Sequence, residues 1–541
     1  SGVPKGAYLN DSNSDNTSQS MRAQMNINKE FNENNGFHFL GGAEVREERR
    51  EGVTQRRYGY DTDTNQGQTV NPTEYYETVY GWKTYIGSTD NTISKYRDRY
   101  LSYYGLGSYD FMNRYHLSGS FRFDDYNLLG ASRKNRALPL WSVGGKWDIN
   151  KESFLSDVSW LNNLSTRLTY GKAGTAPSGG YGSTSPIISF STDSNTNLST
   201  AYISTPENPN ITWEKVKTIN IGLDYALFNN RLRGSFDLYY KKSSDIITNL
   251  TTNPTYGWSS LNYNTATLKG NGIDVNISGL ILNGGFQWNS SFNFAYTTNE
   301  VTDSRFEATT TNQYLGSNPI LGKPIGYLYA YQWAGLDSNG QSTISTSDGT
   351  ILDSKQGNSM IKKEDLKYMG TTIAPYFGGF TNEFSYNNFN LGVQMSYSMG
   401  SVFRNPVLQN YPSYSGVQNG AVAKDALIAN RWRKAGDEAT TNVPGLTNIN
   451  YNSLNRYQNA DINVLSGDNI RLQQISLSYS VPNQWIAKTF MKSLSFNFAA
   501  RNLGLLWVKN DLRIDPQYLS SNNYNTLAPQ RTYTLQLNCN F

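Results

Sequence analysis

The chain has 541 residues and a formal charge of only +4 with no basic cluster, which argues against a nucleic-acid partner. Its hydrophobic fraction is 37%, its mean hydropathy is negative and its apolar runs are a few residues long, so no helix could span a bilayer. The single cysteine, Cys539, excludes an intrachain disulfide and a thiolate metal site.

Any membrane-spanning reading must therefore rest on strands, since only helices and closed barrels satisfy every backbone group in hydrocarbon. The aromatic content fits one: 39 Tyr, 23 Phe and 11 Trp put 13% of the chain into rings that favour the lipid–water boundary.

In chain order, the opening SGVPKGAYLN has no apolar stretch of a signal peptide. For an outer-membrane protein this implies a processed or truncated start. Residues 1–20 read as an extracellular loop remnant and 21–541 as barrel. About fifteen strands of roughly ten residues follow, the length that crosses a bilayer at a tilt. Met21 to Asn28 pairs with Phe37 to Arg46, and Leu101 to Tyr109 with Tyr115 to Asp124. Pro139 to Ile149 and Leu164 to Gly171 come next. Thr218 to Leu227 pairs with Leu232 to Lys241 and is followed by Gly272 to Ile277 and Trp288 to Tyr296. Phe380 to Tyr386 pairs with Phe389 to Met399. The last three are Ile470 to Val481, Leu494 to Asn502 and Thr532 to Phe541. In Ile470 to Val481 the phase slips, which predicts a bulge at Gln473-Gln474.

Each strand alternates. Tyr115, Leu117, Phe121 and Phe123 fall on one face, with His116, Ser118, Ser120, Arg122 and Asp124 on the other. Trp141, Val143 and Trp147 likewise oppose Ser142, Lys146 and Asp148. The apolar phase is expected to meet lipid and the polar phase the lumen.

Short Asn-rich links close the hairpins, and long polar segments join them: Arg50 to Arg97, Lys172 to Ile211, Val301 to Ile373, Ser401 to Gly467 and Leu503 to Arg531. Outer-membrane barrels keep short turns on the periplasmic side and long loops outside. That rule puts the C-terminus in the periplasm. Counting back, the first strand also runs inward, so an odd number of strands is expected upstream, and Thr532 to Phe541 should pair with one of them rather than with the strand at Met21.

No catalytic constellation is present. His38 and His116 both lie on polar phases, and no nucleophile elbow, zinc-helix, Walker A or C-x-x-C motif occurs. Asp61, Asp63 and Asn65 have calcium-loop spacing, but Gln66 stands where the loop needs Gly and Pro72 where it needs Glu. Asp337, Asn339 and Gly340 read as a turn. The best candidates for contact with ligand or a lid protein are loop aromatics: Tyr75, Tyr76, Tyr80, Trp82, Trp258, Tyr263, Tyr411 and Tyr414. Loop-against-loop packing is the plainer account of any one of them.

Several segments resemble SusC/RagA-type TonB-dependent outer-membrane transporters. They are Asn208-Pro209-Asn210-Ile211-Thr212-Trp213-Glu214 with Asn220-Ile221-Gly222-Leu223-Asp224, and Asp237-Leu238-Tyr239-Tyr240-Lys241-Lys242. Further along come Gly322-Lys323-Pro324-Ile325-Gly326 with Gly335-Leu336-Asp337, Gly378-Gly379-Phe380, and Ile470-Arg471-Leu472. Arg501-Asn502-Leu503 with Ile514-Asp515-Pro516 closes the series. The resemblance implies a barrel of about 22 strands, of which this chain supplies about fifteen, with the plug and TonB box outside it. It also implies a SusD-like lipoprotein lid, energy from TonB–ExbB–ExbD through the N-terminal part, an oligosaccharide or oligopeptide substrate, no cofactor, and a role for Phe541 as an assembly signal. A scaffold barrel in a larger, secretion-linked outer-membrane assembly is the rival reading. An outer-membrane hydrolase is disfavoured by the missing triad.

Overall fold

The computed structural model describes residues 7–68, 70–71, 74–77, 83–85, 91–127, 137–176, 186–193, 198–251, 253, 255, 257–258, 260–305, 308–316, 318–408, 426–445, 449–518 and 529–541. One antiparallel sheet runs in chain order through fifteen strands. These are β1 (Ala7–Asn32), β2 (Asn35–Asp61), β3 (Asn91–Phe111), β4 (Tyr115–Tyr126), β5 (Ala137–Asp148), β6 (Leu161–Thr175), β7 (Glu214–Leu227), β8 (Leu232–Thr251), β9 (Ser260–Asn283), β10 (Phe286–Asp303), β11 (Tyr376–Tyr386), β12 (Phe389–Met399), β13 (Asn469–Ser480), β14 (Ser493–Val508) and β15 (Thr532–Asn540). Gln66–Gln68 adds a short sixteenth strand against β2.

The chain divides into two units. The first holds residues 1–112, 117–143 and 173–214. Here β1, β2 and β3 pair over lengths of 26, 27 and 21 residues. At ~3.4 Å per residue, β1 and β2 are each roughly 85–90 Å long, far more than the ~25 Å apolar band of a barrel needs. The assignment of residues 1–20 to a loop is corrected for Ala7 to Ser20, which is continuous strand paired with Arg46 to Tyr60. Polar side chains fill both faces there, so no alternation marks it.

The second unit holds residues 113–116, 144–172 and 215–541. Its hairpins turn through left-handed residues that asparagine tolerates: Asn113, Asn229, Asn230 and Asn387 all have φ between 50° and 62°. The predicted bulge is present. Gln394 pairs with Gln474 but Met395 with Leu472, leaving Gln473 as the extra residue.

The two phases separate as expected. On the polar face of the first unit Arg22 pairs with Glu44 at 2.5 Å, and Arg122 holds Asp124 at 2.8 Å while donating to Ser102. In the second unit Arg167 passes over Gly222 to bridge Asp224 and Asp237, and Asp148 gathers His116, Lys146 and Lys151. The apolar phase stays exposed: among the described residues nothing covers Phe121, Val143, Leu477, Leu535 and Leu537. An exposed apolar surface this extended is one that water does not suit.

Four directly opposed Tyr–Gly pairs stitch the strands. The rings of Tyr104, Tyr225, Tyr239 and Tyr397 lie where a side chain on Gly42, Gly234, Gly272 and Gly378 would go. The Tyr397 hydroxyl then donates to the Asn293 carbonyl at 3.0 Å. A ring over a glycine restores packing that the missing side chain forfeits. Among the described residues β15 pairs with β14 and β1 with β2, and the two end strands do not pair with each other.

Candidate ligand and partner surface

The connections β10–β11 and β12–β13 have the sequence of polar loops, but together they fold. Tyr327–Leu336 forms the centre of a four-stranded sheet with Ser342–Ser345, Ile351–Leu352 and Leu366–Thr371. The helix Tyr451–Gln458, from the second connection, packs on it, with Asn450 capping its N-terminus by accepting from the Ser453 N–H. The core is built from tyrosines: Tyr314, Tyr327, Tyr329 and Tyr331 surround Ile344, Leu352, Ile361 and Leu366. Burial pushes the Tyr327 hydroxyl up to about 12, helped by Tyr329 and Tyr314.

The two connections are locked by buried polar bonds. Arg456, 0% exposed, donates to the carbonyls of Leu352, Asp353 and Gln356 at 3.3, 2.5 and 2.7 Å and to Asn358 Oδ1 at 3.2 Å. Ser453 Oγ accepts from the Ser342 N–H at 2.8 Å, and Asp461 accepts from the Trp333 N–H while pairing with Lys367 at 3.0 Å. Arg404 reaches the Tyr329 carbonyl at 2.6 Å. Burial lowers the proton affinity of both Arg456 and Arg404, whose charge is met by carbonyl and amide oxygens in place of carboxylates.

Asp337, Asn339 and Gly340 do form a turn. The Asp337 carboxylate accepts from the Asn339 and Gln341 N–H groups at 2.8 and 2.9 Å, and Gly340, at φ 72°, lies against the Trp432 ring where a side chain would collide. Asp61 likewise accepts from the Asp63 N–H at 2.8 Å. His116 Nε2 is hydrogen-bonded to the Asp148 carboxylate at 3.1 Å, and His38 bonds Asn28.

Of the predicted contact residues, Tyr75 is exposed on the hairpin Tyr75–Glu77/Lys83–Tyr85, where Tyr76 pairs with Thr84. Both belong to the first unit. Trp258, half-buried, and Tyr263, exposed and paired with Thr248 on β8, belong to the second. Tyr80, Trp82, Tyr411 and Tyr414 lie outside the described residues. Phe541 stacks on Phe490 with ring centroids 5.2 Å apart.

One feature escaped the sequence reading. Arg471, buried on the polar face of β13, pairs with Asp515 at 2.6 Å and lies over the Tyr518 ring. Cavities of about 250 and 180 Å³ flank it, and both are lined by Arg471 and the bulged Gln473. Gln473 donates to Ser396 Oγ at 2.7 Å. The remaining lining is largely neutral: Ser398, Ser401, Asn469 and Gln517 in the larger, Asn502 and Tyr518 in the smaller. Both charged partners sit in segments already singled out, Ile470-Arg471-Leu472 and Ile514-Asp515-Pro516. Arg471→Met is expected to free residues 509–518 from the wall, at a cost of about 1.5–3 kcal/mol for the lost charged bond. Amide exchange in that stretch should rise, and unchanged protection would show that the pair does not hold it.

The described strands form one fifteen-strand antiparallel path with separate polar and apolar phases. The family model for the TonB dependent receptor-like β-barrel matches residues 3–359. The chain belongs to this family. Among curated relatives, TonB-dependent receptor P3 of Formosa agariphila is 25% identical over 471 residues, covering 82% of this chain and 45% of that protein. TonB-dependent receptor SusC of Bacteroides thetaiotaomicron is 24% identical over 493 residues, covering 86% and 47%. The solved RagAB peptide transporter superposes with a TM-score of 0.80 at 22% identity, over 98% of this chain and 56% of that one. The chain therefore shares its fold with the barrel of that transporter, and its place is the outer membrane. The chain spans about half the length of the curated relatives it matches. The family is one of TonB-dependent receptors.

Proposed function

We propose that this chain is the wall and the extracellular loops of an active outer-membrane importer for oligosaccharides or oligopeptides. The observation that carries this reading is the packed insert of the β10–β11 and β12–β13 connections on a TonB-dependent receptor barrel. A rigid platform at the mouth gives a lid something to close on, and a loose loop would not. A SusD-like lipoprotein is the lid, substrate is enclosed beneath it, and TonB–ExbB–ExbD acts through a part of the protein that this sequence does not include. The C-terminus faces the periplasm and the long connections face outward.

Tyr75, Tyr76, Tyr80, Trp82, Trp258, Tyr263, Tyr411 and Tyr414 are proposed to contact lid or substrate through their ring faces. Phe541 is proposed as an assembly signal, and deleting it in the full-length protein should lower the membrane-inserted fraction.

The test is purification of the tagged full-length protein from outer membranes, with growth of a deletion strain on oligosaccharide or oligopeptide mixtures. A single co-purifying lipoprotein and a growth defect restored by the gene are expected. Recovery of several unrelated subunits with normal growth would instead favour the scaffold reading.

A further inference from the structure

We propose that the turn between β13 and β14, Val481 to Lys492, binds the phosphodiester headgroup of an anionic glycerophospholipid. This rests on the orientation proposed above, which puts the short-turn end against the inner leaflet.

The turn reads Val481-Pro482-Asn483-Gln484-Trp485-Ile486-Ala487-Lys488-Thr489-Phe490-Met491-Lys492, with two lysines and no acidic residue. Its backbone is fixed. The Trp485 N–H donates to the Pro482 carbonyl at 2.9 Å, the Thr489 N–H and hydroxyl both donate to the Ile486 carbonyl, and the Lys492 N–H donates to the Asn540 carbonyl at 2.7 Å. Ile486 is buried and pins the turn from below. Held this way, Trp485 and Phe490 project outward, 69% and 77% exposed, and Phe490 stacks on the exposed Phe541. Among the described residues nothing covers these three rings.

Charge decides what covers it. Among the described residues neither Lys488 nor Lys492 has an acidic side-chain partner. The side chains at the adjoining strand ends, Ser480, Ser493, Asn538 and Asn540, are neutral, as are Asn387 and Asn388 in the next turn, where Asn388 donates to the Ser480 carbonyl at 2.7 Å. Two unpaired ammonium groups beside outward aromatics match a phosphodiester above acyl chains: the rings sit at the boundary and the lysines reach the headgroup. Rings alone would anchor the turn with no headgroup preference.

At the strength of a juxtamembrane lysine, two such residues give a preference for anionic over zwitterionic lipid of about 30-fold. The experiment uses the full-length protein in micelles titrated with phosphatidylglycerol or phosphatidylethanolamine, with retained lipid counted by native mass spectrometry. Wild type should retain phosphatidylglycerol preferentially. K488Q/K492Q should lose that preference, with phosphatidylethanolamine retention and heat-modifiability unchanged. In vesicles with brominated acyl chains, Trp485→Phe should lower the quenched fraction of tryptophan emission.

Equal phosphatidylglycerol retention by wild type and K488Q/K492Q would overturn the proposal. So would displacement of the lipid by inorganic phosphate, or a loss confined to added lipopolysaccharide, which would put the turn in the other leaflet. The importer reading is judged separately, because K488Q/K492Q should still support growth on the imported nutrient.

Discussion

Arg456→Met should unfold the insert formed by the β10–β11 and β12–β13 connections while the wall strands stay paired. The guanidinium of Arg456 is the junction between the helix Tyr451–Gln458 and the segment from Leu352 to Asn358, and no water-exposed surface remains on it. Methionine fills similar volume but offers no donor, so three carbonyls and an amide oxygen lose their partner beneath Tyr331. Each buried acceptor left unpaired costs about 1–3 kcal/mol, and the loss of a buried charged network falls near 3–5 kcal/mol. Few single changes reach that range. Hydrogen exchange should show protection vanishing over residues 327–371 and 451–463 while β11 and β12 keep theirs. Arg456→Lys should rescue only in part, because one ammonium cannot span acceptors arranged around a planar fork. Undiminished protection in Arg456→Met would mean the insert is held by its tyrosine core alone.

Leu535→Arg and Gln536→Arg, one residue apart on β15, should differ sharply. Leu535 is in the apolar phase, paired with Phe498, whereas Gln536 is in the polar phase and bonds Asn538 at 2.8 Å. On the lipid face an arginine costs about 2–4 kcal/mol near the midplane, and on the lumen face it meets water. The membrane-inserted, heat-modifiable fraction should fall for Leu535→Arg and stay near wild type for Gln536→Arg. The reverse order would mean that the two faces have been exchanged, and equal behaviour that they do not separate lipid from water.

All fifteen strands were legible as alternation, and the bulge at Gln473 as a break in it, because inside the bilayer each residue is forced to answer to lipid or to water. Outside the bilayer that constraint lapses. Ala7 to Ser20 and much of Glu47 to Tyr58 are strand with polar side chains on both faces, and they read as loop. The insert was hidden for another reason. Its strands run from two to ten residues, and its core is tyrosine, which counts as polar in a hydropathy profile and as apolar once its ring is buried. Arg471 and Asp515 each stood in a recognisable segment. Their meeting depends on how residues 509–518 fold back, and phase along β13 gives only the face.

The insert also imposes an order in time. Its sheet is made before β11 in the chain and its helix after β12, so the junction at Arg456 cannot close until the β11–β12 hairpin has been synthesised and has brought the two halves together. Chain must be laid down across some hundred residues before that contact repays its entropy, which makes the insert a late step of folding. A chain stalled with β11 and β12 unpaired would have a gap in the sheet and an unfinished insert together, so completion of the insert reports that this stretch of wall has formed.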